Sequence, residues 1–286
     1  MATQANMAGR ICVITGATRG IGRAAAQGLA QRGATVVLIA RRPDDAAVVA
    51  REIARTSPVQ PAVVAGDLSS QQSIRHAAED LKGRFPHLHV LINNAAVFTR
   101  RRETSVDGLE LQFAVNHLAY FLLTNLLLDQ LRAGAPSRIV NVSSGAHSGA
   151  RIDFEDLQGS RSYSGNRAYS QSKLANILFT YELARRLQGS GVTANCLHPG
   201  VIATRLLAEY MGVPFAGRAL ASTFGAKPEQ GAQTIIYLAT SPEVESVSGK
   251  YFENARAVRS SRESYDEATA RRLWELSAEM TDLTSA

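Results

Sequence analysis

Short, mostly β-branched apolar runs alternate along this chain with longer stretches of helical length. The apolar runs fall at Arg10–Thr15, Thr35–Ala40, Ala62–Gly66, His89–Asn93, Arg138–Ser143, Thr193–His198 and Lys250–Phe252. Between them lie Ile21–Arg32, Asp44–Thr56, Gln71–Gly83 and Gly108–Arg132. Such alternation predicts βαβ units, and strands that are apolar throughout predict a parallel sheet buried on both faces. The expected fold class is α/β: a single-domain, Rossmann-type, doubly wound parallel sheet of about seven strands with helices on both faces. No repeat or linker divides the chain, so residues 1–286 are read as one domain, with a first half over about 10–145 and a C-terminal helix over about 264–280. Two segments interrupt the rhythm. Ser148–Arg167 is Gly/Ser-rich and reads as a long loop; Ala203–Ala226 is apolar and follows the sixth strand. Loops at strand carboxyl ends are where open α/β sheets bind ligands, which makes the second segment a candidate lid.

Composition changes this picture little. Hydrophobic content is 45%, ordinary for a globular domain, and no apolar run approaches the roughly 20 residues needed to span a bilayer. The segment MATQANMAGR lacks the basic and apolar regions of a signal peptide, so the expectation is a cytoplasmic protein with no membrane anchor. Cys12 and Cys196 sit in separate strand-like runs without C-x-x-C spacing, which argues against a disulfide framework or a redox pair. Net charge is +6, and only Lys82, Lys173, Lys227 and Lys250 among the 31 basic residues are lysine. The basic runs at Arg100–Arg102 and Arg256/Arg259/Arg262 are not interleaved with aromatics, so they read as solvated surface and no nucleic-acid partner is expected. His87 and His89 are spaced H-x-H but lack further ligands nearby, and no metal site is expected.

Candidate chemistry begins directly after the first strand, with Thr15-Gly16-Ala17-Thr18-Arg19-Gly20-Ile21-Gly22 opening a helix. Glycines here permit a tight turn and let backbone approach a pyrophosphate over the helix N-terminus. The half over about 10–145 is therefore expected to bind a dinucleotide. An NAD site usually places an acid at the end of the second strand, about 20 residues further on; this chain has Ala40, followed by Arg41 and Arg42. A guanidinium can bind a 2′-phosphate that a carboxylate would repel, and Arg19 lies within reach of the same group. The cofactor expected is NADP(H). Asp67, in GDLSS, is read either as an acceptor for the adenine amino group or as a helix N-cap or turn residue.

Further on, AYSQSKLANILFTYELARRL carries Leu174, Ile177, Leu178, Tyr181 and Ala184 at helical spacing as its buried face. Tyr169 and Lys173, four residues apart, emerge from one side, a turn apart. A free phenol ionises near pH ~10, and a neighbouring ammonium favours the phenolate, drawing that value down. Upstream, RIVNVSS is a strand ending in two serines, whose hydroxyls can meet a substrate oxygen.

Taken in order, TGATRGIG, GDL, NNAA, Asn116, SS, Y-x-x-x-K and PG resemble the short-chain dehydrogenase/reductase family from about Arg10 to Phe252. The resemblance implies an oxidoreductase interconverting a carbonyl and an alcohol. It implies Tyr169 as proton donor and acceptor, Lys173 as ribose ligand and pKa-lowering cation, Ser144 orienting the substrate oxygen, and Asn116 holding a water in a proton relay. It further implies a cofactor site of Gly16, Thr18, Arg19, Gly20, Ile21, Gly22, Arg41, Asp67, Leu68, Asn94, Ala95, Pro199, Gly200 and Thr204, shared with Tyr169 and Lys173. Ala96 stands where the family usually has glycine. LHVLINNAA, FAVNHLAYFLLTNLLLDQL, SRIVNVSSGAH and RRLWELSAEM are similar to the retinol-dehydrogenase-like branch, which acts on apolar aldehydes, ketones and alcohols.

A rival reading is a non-catalytic protein that senses NADP(H) on the same fold; the retained Tyr169 and Lys173 favour the enzyme. The family also implies a homodimer pairing Gly108–Arg132 with Arg167–Gln188, unless the Ser148–Arg167 insertion covers that apolar surface in a monomer. In the lid, Leu206, Leu207, Tyr210, Met211, Val213, Phe215, Leu220 and Phe224 would wall an apolar substrate pocket.

Overall fold

The protein is seen in a computed structural model that describes residues 6–212 and 225–283. Each expected strand forms: β1 (Ile11–Thr15), β2 (Thr35–Ala40), β3 (Ala62–Ala65), β4 (Val90–Asn93), β5 (Ser137–Val142), β6 (Val192–His198) and β7 (Tyr251–Glu253). They pair in parallel in the order β3-β2-β1-β4-β5-β6-β7. An eighth strand, β8 (Arg256–Val258), runs antiparallel on the outer edge of β7, after a turn in which Asn254 and Ala255 both take positive φ. All three β8 residues are exposed, so no apolar run marks the strand in the sequence.

Between the strands lie α1 (Gly20–Ala30), α2 (Pro43–Ala54), α3 (Gln71–Arg84), α4 (Leu111–Phe113), a π-helical turn (Ala114–Leu118), α5 (Ala119–Leu126) and α6 (Leu128–Ala133). They are followed by α7 (Gly165–Arg186), α8 (Arg205–Met211), α9 (Pro228–Thr240) and α10 (Glu267–Met280). Alternate strand residues feed two cores. Cys12, Ile14, Val36 and Leu38 pack with α1, α2 and α9 on one face. Val13, Val37, Ile39 and Leu91 pack with α3, α5, α6 and α7 on the other. With both faces apolar, the two-residue side-chain period of a strand is hidden in the sequence, which is why these runs read as continuous.

Two helices differ from expectation. Gly108, at φ 78°, turns the chain instead of opening a helix, and the helix starts at Leu111, where the Glu110 carboxylate accepts from the Phe113 N–H at 2.6 Å. The π-turn then adds a residue to the winding, and Leu127 breaks it with φ −106° and ψ 6°. α7 begins at Gly165, three residues before Ala168, because Ser164 provides the N-cap, accepting from the Arg167 N–H.

The apolar side of α5 and α7 that the sequence offers to a partner is met by the chain itself. Trp274 of α10 sits 4.9 Å from the Phe121 ring and 5.7 Å from that of Phe179, under the Arg186 guanidinium at 4.3 Å. Ile152, Phe154 and Leu157 of the insertion join Leu174, Leu178 and Leu273 in a third cluster. Of the proposed lid, Leu206, Leu207, Tyr210 and Met211 lie on α8; Val213, Phe215, Leu220 and Phe224 lie outside the described residues. Among the described residues no helix is long and apolar enough to cross a membrane.

Candidate active site

Strand order reverses between β1 and β4, and a crevice opens there at the carboxyl edge of the sheet. It is a cleft of about 1440 Å³ lined by the glycine loop, the ends of β2 to β6, and α8. The loop fits against its neighbours without room for side chains. A Cβ on Gly16 would lie 2.8 Å from the Ala95 Cα, and one on Gly22 would collide with the Asn94 amide and the Gly16 carbonyl. Gly16 and Gly20 also take positive φ, 67° and 56°, which glycine adopts without strain. α1 starts at Gly20 with no side-chain cap and no acid in its first turn, leaving N–H groups to face an anion.

Asn94 braces this loop: its Nδ2 donates to the carbonyls of Thr15 at 2.9 Å and Gly16 at 3.3 Å. The Thr15 hydroxyl accepts from the N–H groups of Asn94 and Ala95 at 2.9 and 3.1 Å. Gly16, Thr18, Arg19, Gly20, Ile21, Gly22, Asn94 and Ala95 are thus brought together on the cleft, with Asn94's side chain turned to protein backbone.

At the far end Ala40, Arg41, Asp67 and Leu68 line the same cleft. Arg42 pairs with Asp45 at 2.5 Å and Arg23 with Glu52 at 2.5 Å, whereas Arg19 and Arg41 are exposed and form no ion pair among the described residues. The Asp67 carboxylate accepts from the Ser69 N–H at 2.9 Å and hydroxyl at 2.7 Å, making a turn; the N-cap of α3 is Ser70. Of the local roles the sequence allowed Asp67, the structure shows the turn and not the N-cap. Pro199, Gly200 and Thr204 border the opposite wall, where the Thr204 hydroxyl caps α8 by accepting from the Leu207 N–H at 3.3 Å.

The reactive side chains stand between these ends. Ser144, just past β5, hydrogen-bonds the Tyr169 phenol of α7. The other serine of the pair faces inward, with Ser143 Oγ donating to the Lys173 carbonyl at 2.8 Å, so only Ser144 is placed to meet a ligand. Lys173 is buried, with Nζ donating to the Val142 carbonyl at 3.2 Å and lying 5.5 Å from the Tyr169 ring centre. An ammonium has three donors, so this leaves two to bind a ligand.

Burial dominates the electrostatics of the pair. Burial, the largest influence, raises the Tyr169 pKa above the ordinary phenol value; Ser144 draws it down and Tyr210 adds to the rise. Burial also brings Lys173 down to about 7. Desolvation thus disfavours both charged forms at once. The Asn116 side chain is engaged by the protein itself. Its Oδ1 accepts from the Val97 N–H at 2.8 Å, and its Nδ2 donates to the Val97 carbonyl and Ser172 Oγ, both at 3.0 Å. With its hydrogen-bonding groups engaged, that side chain fixes the post-β4 loop to α7.

Several site residues escape sequence reasoning. The Tyr120 hydroxyl donates to the Ala95 carbonyl at 2.9 Å, and its ring centre lies 5.9 Å from Lys173 Nζ. Phe98 packs on Tyr169 and on Tyr210, the lid residue already expected from the sequence, with centroids 5.4 to 5.9 Å apart. His198 lines the cleft beside Gly145, and its buried Nδ1 has no partner. Only nearness to a motif marked these residues: Phe98 follows NNAAV, Tyr120 follows VNHLA, and His198 precedes PG.

Comparison with known proteins agrees with this architecture. The family model described as short chain dehydrogenase matches residues 10–211. The chain is 46% identical to retinol dehydrogenase 13 of Mus musculus, over 99% of this chain and 87% of that protein. It is 45% identical to retinol dehydrogenase 11 of Homo sapiens, over 96% and 86%. Among solved structures, an uncharacterised protein of Mycobacterium paratuberculosis superposes with a TM-score of 0.80 at 36% identity, over 98% of this chain and 96% of that one. RhlG of Pseudomonas aeruginosa, solved with NADP, gives 0.71 at 28% identity, over 88% and 97%. The chain belongs to the short-chain dehydrogenase family, in its retinol-dehydrogenase-like branch, and is an oxidoreductase acting on CH–OH groups.

Proposed function

We propose that this protein interconverts apolar aldehydes or ketones and their alcohols with NADP(H), using Tyr169 as the acid/base group. The observation that carries this reading is the meeting of Ser144, Tyr169 and Lys173 inside the cleft that begins at the glycine loop. The residues present suit a dinucleotide: a turn whose closest backbone approaches fall at Gly16 and Gly22, an uncapped helix start and a buried amine with donors to give. Gly16 to Gly22 would hold its pyrophosphate and Lys173 its nicotinamide ribose. When bound, the dinucleotide supplies or accepts the hydride.

The chain's own groups do the rest. In reduction, the Ser144 hydroxyl hydrogen-bonds the carbonyl oxygen and the Tyr169 phenol gives that oxygen its proton; in oxidation the proton returns to Tyr169. Burial keeps the phenol protonated at neutral pH, the state that reduction requires. Phe98 and Tyr210 shield it from water and, with Val97, Leu111, Leu206 and Leu207, give the pocket apolar walls. Retinol, for which the mammalian relatives are named, falls in the class such walls would admit. NADP(H) is favoured over NAD(H) by Ala40 in place of an acid and by Arg19 and Arg41, which form no ion pair among the described residues.

The test is NADPH and NADH consumption across a panel of aldehydes and ketones, including retinal, with Tyr169→Phe beside the unaltered protein. Loss of the proton donor is expected to slow turnover about 10²- to 10⁴-fold while NADPH still binds. Undiminished turnover by Tyr169→Phe would refute the assignment.

A further inference from the structure

Ser144 stands at the head of a 3-10 turn, Gly145–His147, and the last residue of that turn folds back on it. His147 Nδ1 lies 2.7 Å from the Ser144 carbonyl oxygen. Its other ring nitrogen, Nε2, lies 3.1 Å from the backbone N–H of Ser261. A carbonyl only accepts and a backbone N–H only donates, so the two neighbours determine the tautomer: Nδ1 carries the hydrogen and donates to Ser144, and Nε2 accepts from Ser261. The ring is 3% exposed and packs 5.0 Å from Tyr251 of β7.

Ser261 is itself anchored. The neighbouring Ser260 Oγ shares hydrogen bonds with the Tyr181 hydroxyl at 2.7 Å and Ser264 Oγ at 2.6 Å, and its N–H donates to the Tyr265 hydroxyl at 3.2 Å. Through one imidazole, then, the turn carrying Ser144 is tied to the segment that leads into α10, 114 residues later in the chain.

We propose that His147 is a positioning residue: as a neutral Nδ1–H imidazole it holds the Ser144 backbone, and so the Ser144 hydroxyl, in register with Tyr169 by bridging to Ser261. The inference rests on the assignment of Ser144 and Tyr169 to the reaction. Protonation would break the bridge, since Nε2–H would then face the Ser261 N–H, donor against donor. The titratable groups facing the ring are Tyr251 and Glu253 from β7, Glu263 from the C-terminal segment and His198 from β6. The two glutamates favour the imidazolium and His198 opposes it, but burial outweighs them and leaves the ring neutral.

Three variants test this in the full-length protein, using the aldehyde that the unaltered enzyme turns over with NADPH. His147→Asn keeps a donor at the Nδ1 position, whereas His147→Phe keeps the ring volume against Tyr251 but no donor. Positioning predicts that His147→Phe loses kcat about 10- to 100-fold, with NADPH binding by fluorescence unchanged, while His147→Asn, which keeps the bond to Ser144 but not the bridge to Ser261, loses several-fold less. Ser261→Pro removes the other partner's N–H at a residue whose φ is already −62°, where proline fits. Without that opposing donor the imidazolium is less disfavoured, so the acid limb of the kcat profile should move up by about one pH unit. Full kcat in His147→Phe, equal loss in the two His147 variants, or an unmoved acid limb in Ser261→Pro would overturn the proposal. If His147→Phe does not fold, the Ser261→Pro profile decides alone. An unaltered enzyme with no NADPH-linked turnover would instead overturn the functional reading, and this inference with it.

Discussion

His117 makes the stability of the fold acutely dependent on acid. It lies in the π-turn with its ring 5.0 Å from Phe113 and 6.1 Å from Phe179, and its Nε2 is 2.9 Å from Ser277 Oγ on α10. The side chain is fully buried, and burial lowers its pKa from 6.5 to about 3, with Asn176 opposing the shift. The folded protein therefore keeps His117 neutral, while the unfolded chain takes up a proton below pH 6.5. Unfolding binds a proton throughout the window between the two values, so stability falls as the pH falls from 6.5 towards 3. The slope is about 1.4 kcal/mol per pH unit, which makes the loss at pH 4.5 about 3 kcal/mol relative to neutrality. His117→Gln keeps an amide near Ser277 and removes the titration. Urea unfolding followed by circular dichroism at pH 7 and pH 4.5 should show the unaltered protein losing about 3 kcal/mol more than the variant. Equal losses in the two proteins would show that His117 protonates as readily in the folded state, and the argument would fail.

Two further outcomes bear on the pocket. Arg41→Ala should weaken NADPH by one to two decades, equivalent to about 1.5–3 kcal/mol for a charged hydrogen bond, and leave NADH nearly untouched; equal kinetics with the two cofactors before mutation would remove the case for NADP(H). Tyr210→Ala opens the aromatic contact at 5.4 Å from Tyr169, and the loss of about 0.5–1.5 kcal/mol of ring packing should raise KM for bulky aldehydes about 3- to 10-fold while sparing small ones. If the rise is the same for both classes, Tyr210 is scaffold and not a wall of the substrate site.

Why the helix after β4 was misread is instructive. Gly108–Arg132 carries apolar residues at helical spacing almost throughout, and periodicity has no means of marking a π-turn, which only shifts the winding by one residue. The shift matters because it places Asn116 against Val97 and Ser172 while Tyr120 reaches Ala95. The apolar faces of α5 and α7 make a second case. Apolar residues on FLLTNLLLDQL and NILFTYEL announce a buried surface, but not what buries it; Trp274 and the 148–167 insertion supply the cover from the same chain.

The sequence by itself determined the sheet, the glycine turn, the spacing of Tyr169 and Lys173 and the lack of an acid at position 40. These depend on neighbours within a few residues, where local sterics, helical geometry and apolar runs act directly. Tertiary structure alone decided that the Asn94 and Asn116 side chains brace neighbouring loops, and that burial raises Tyr169 while lowering Lys173. It alone joined His147 to Ser261 and His117 to Ser277. Hydrogen-bond satisfaction and desolvation are set by what closes around a group, and for His117 and His147 the closing atoms lie more than 100 residues away in the chain.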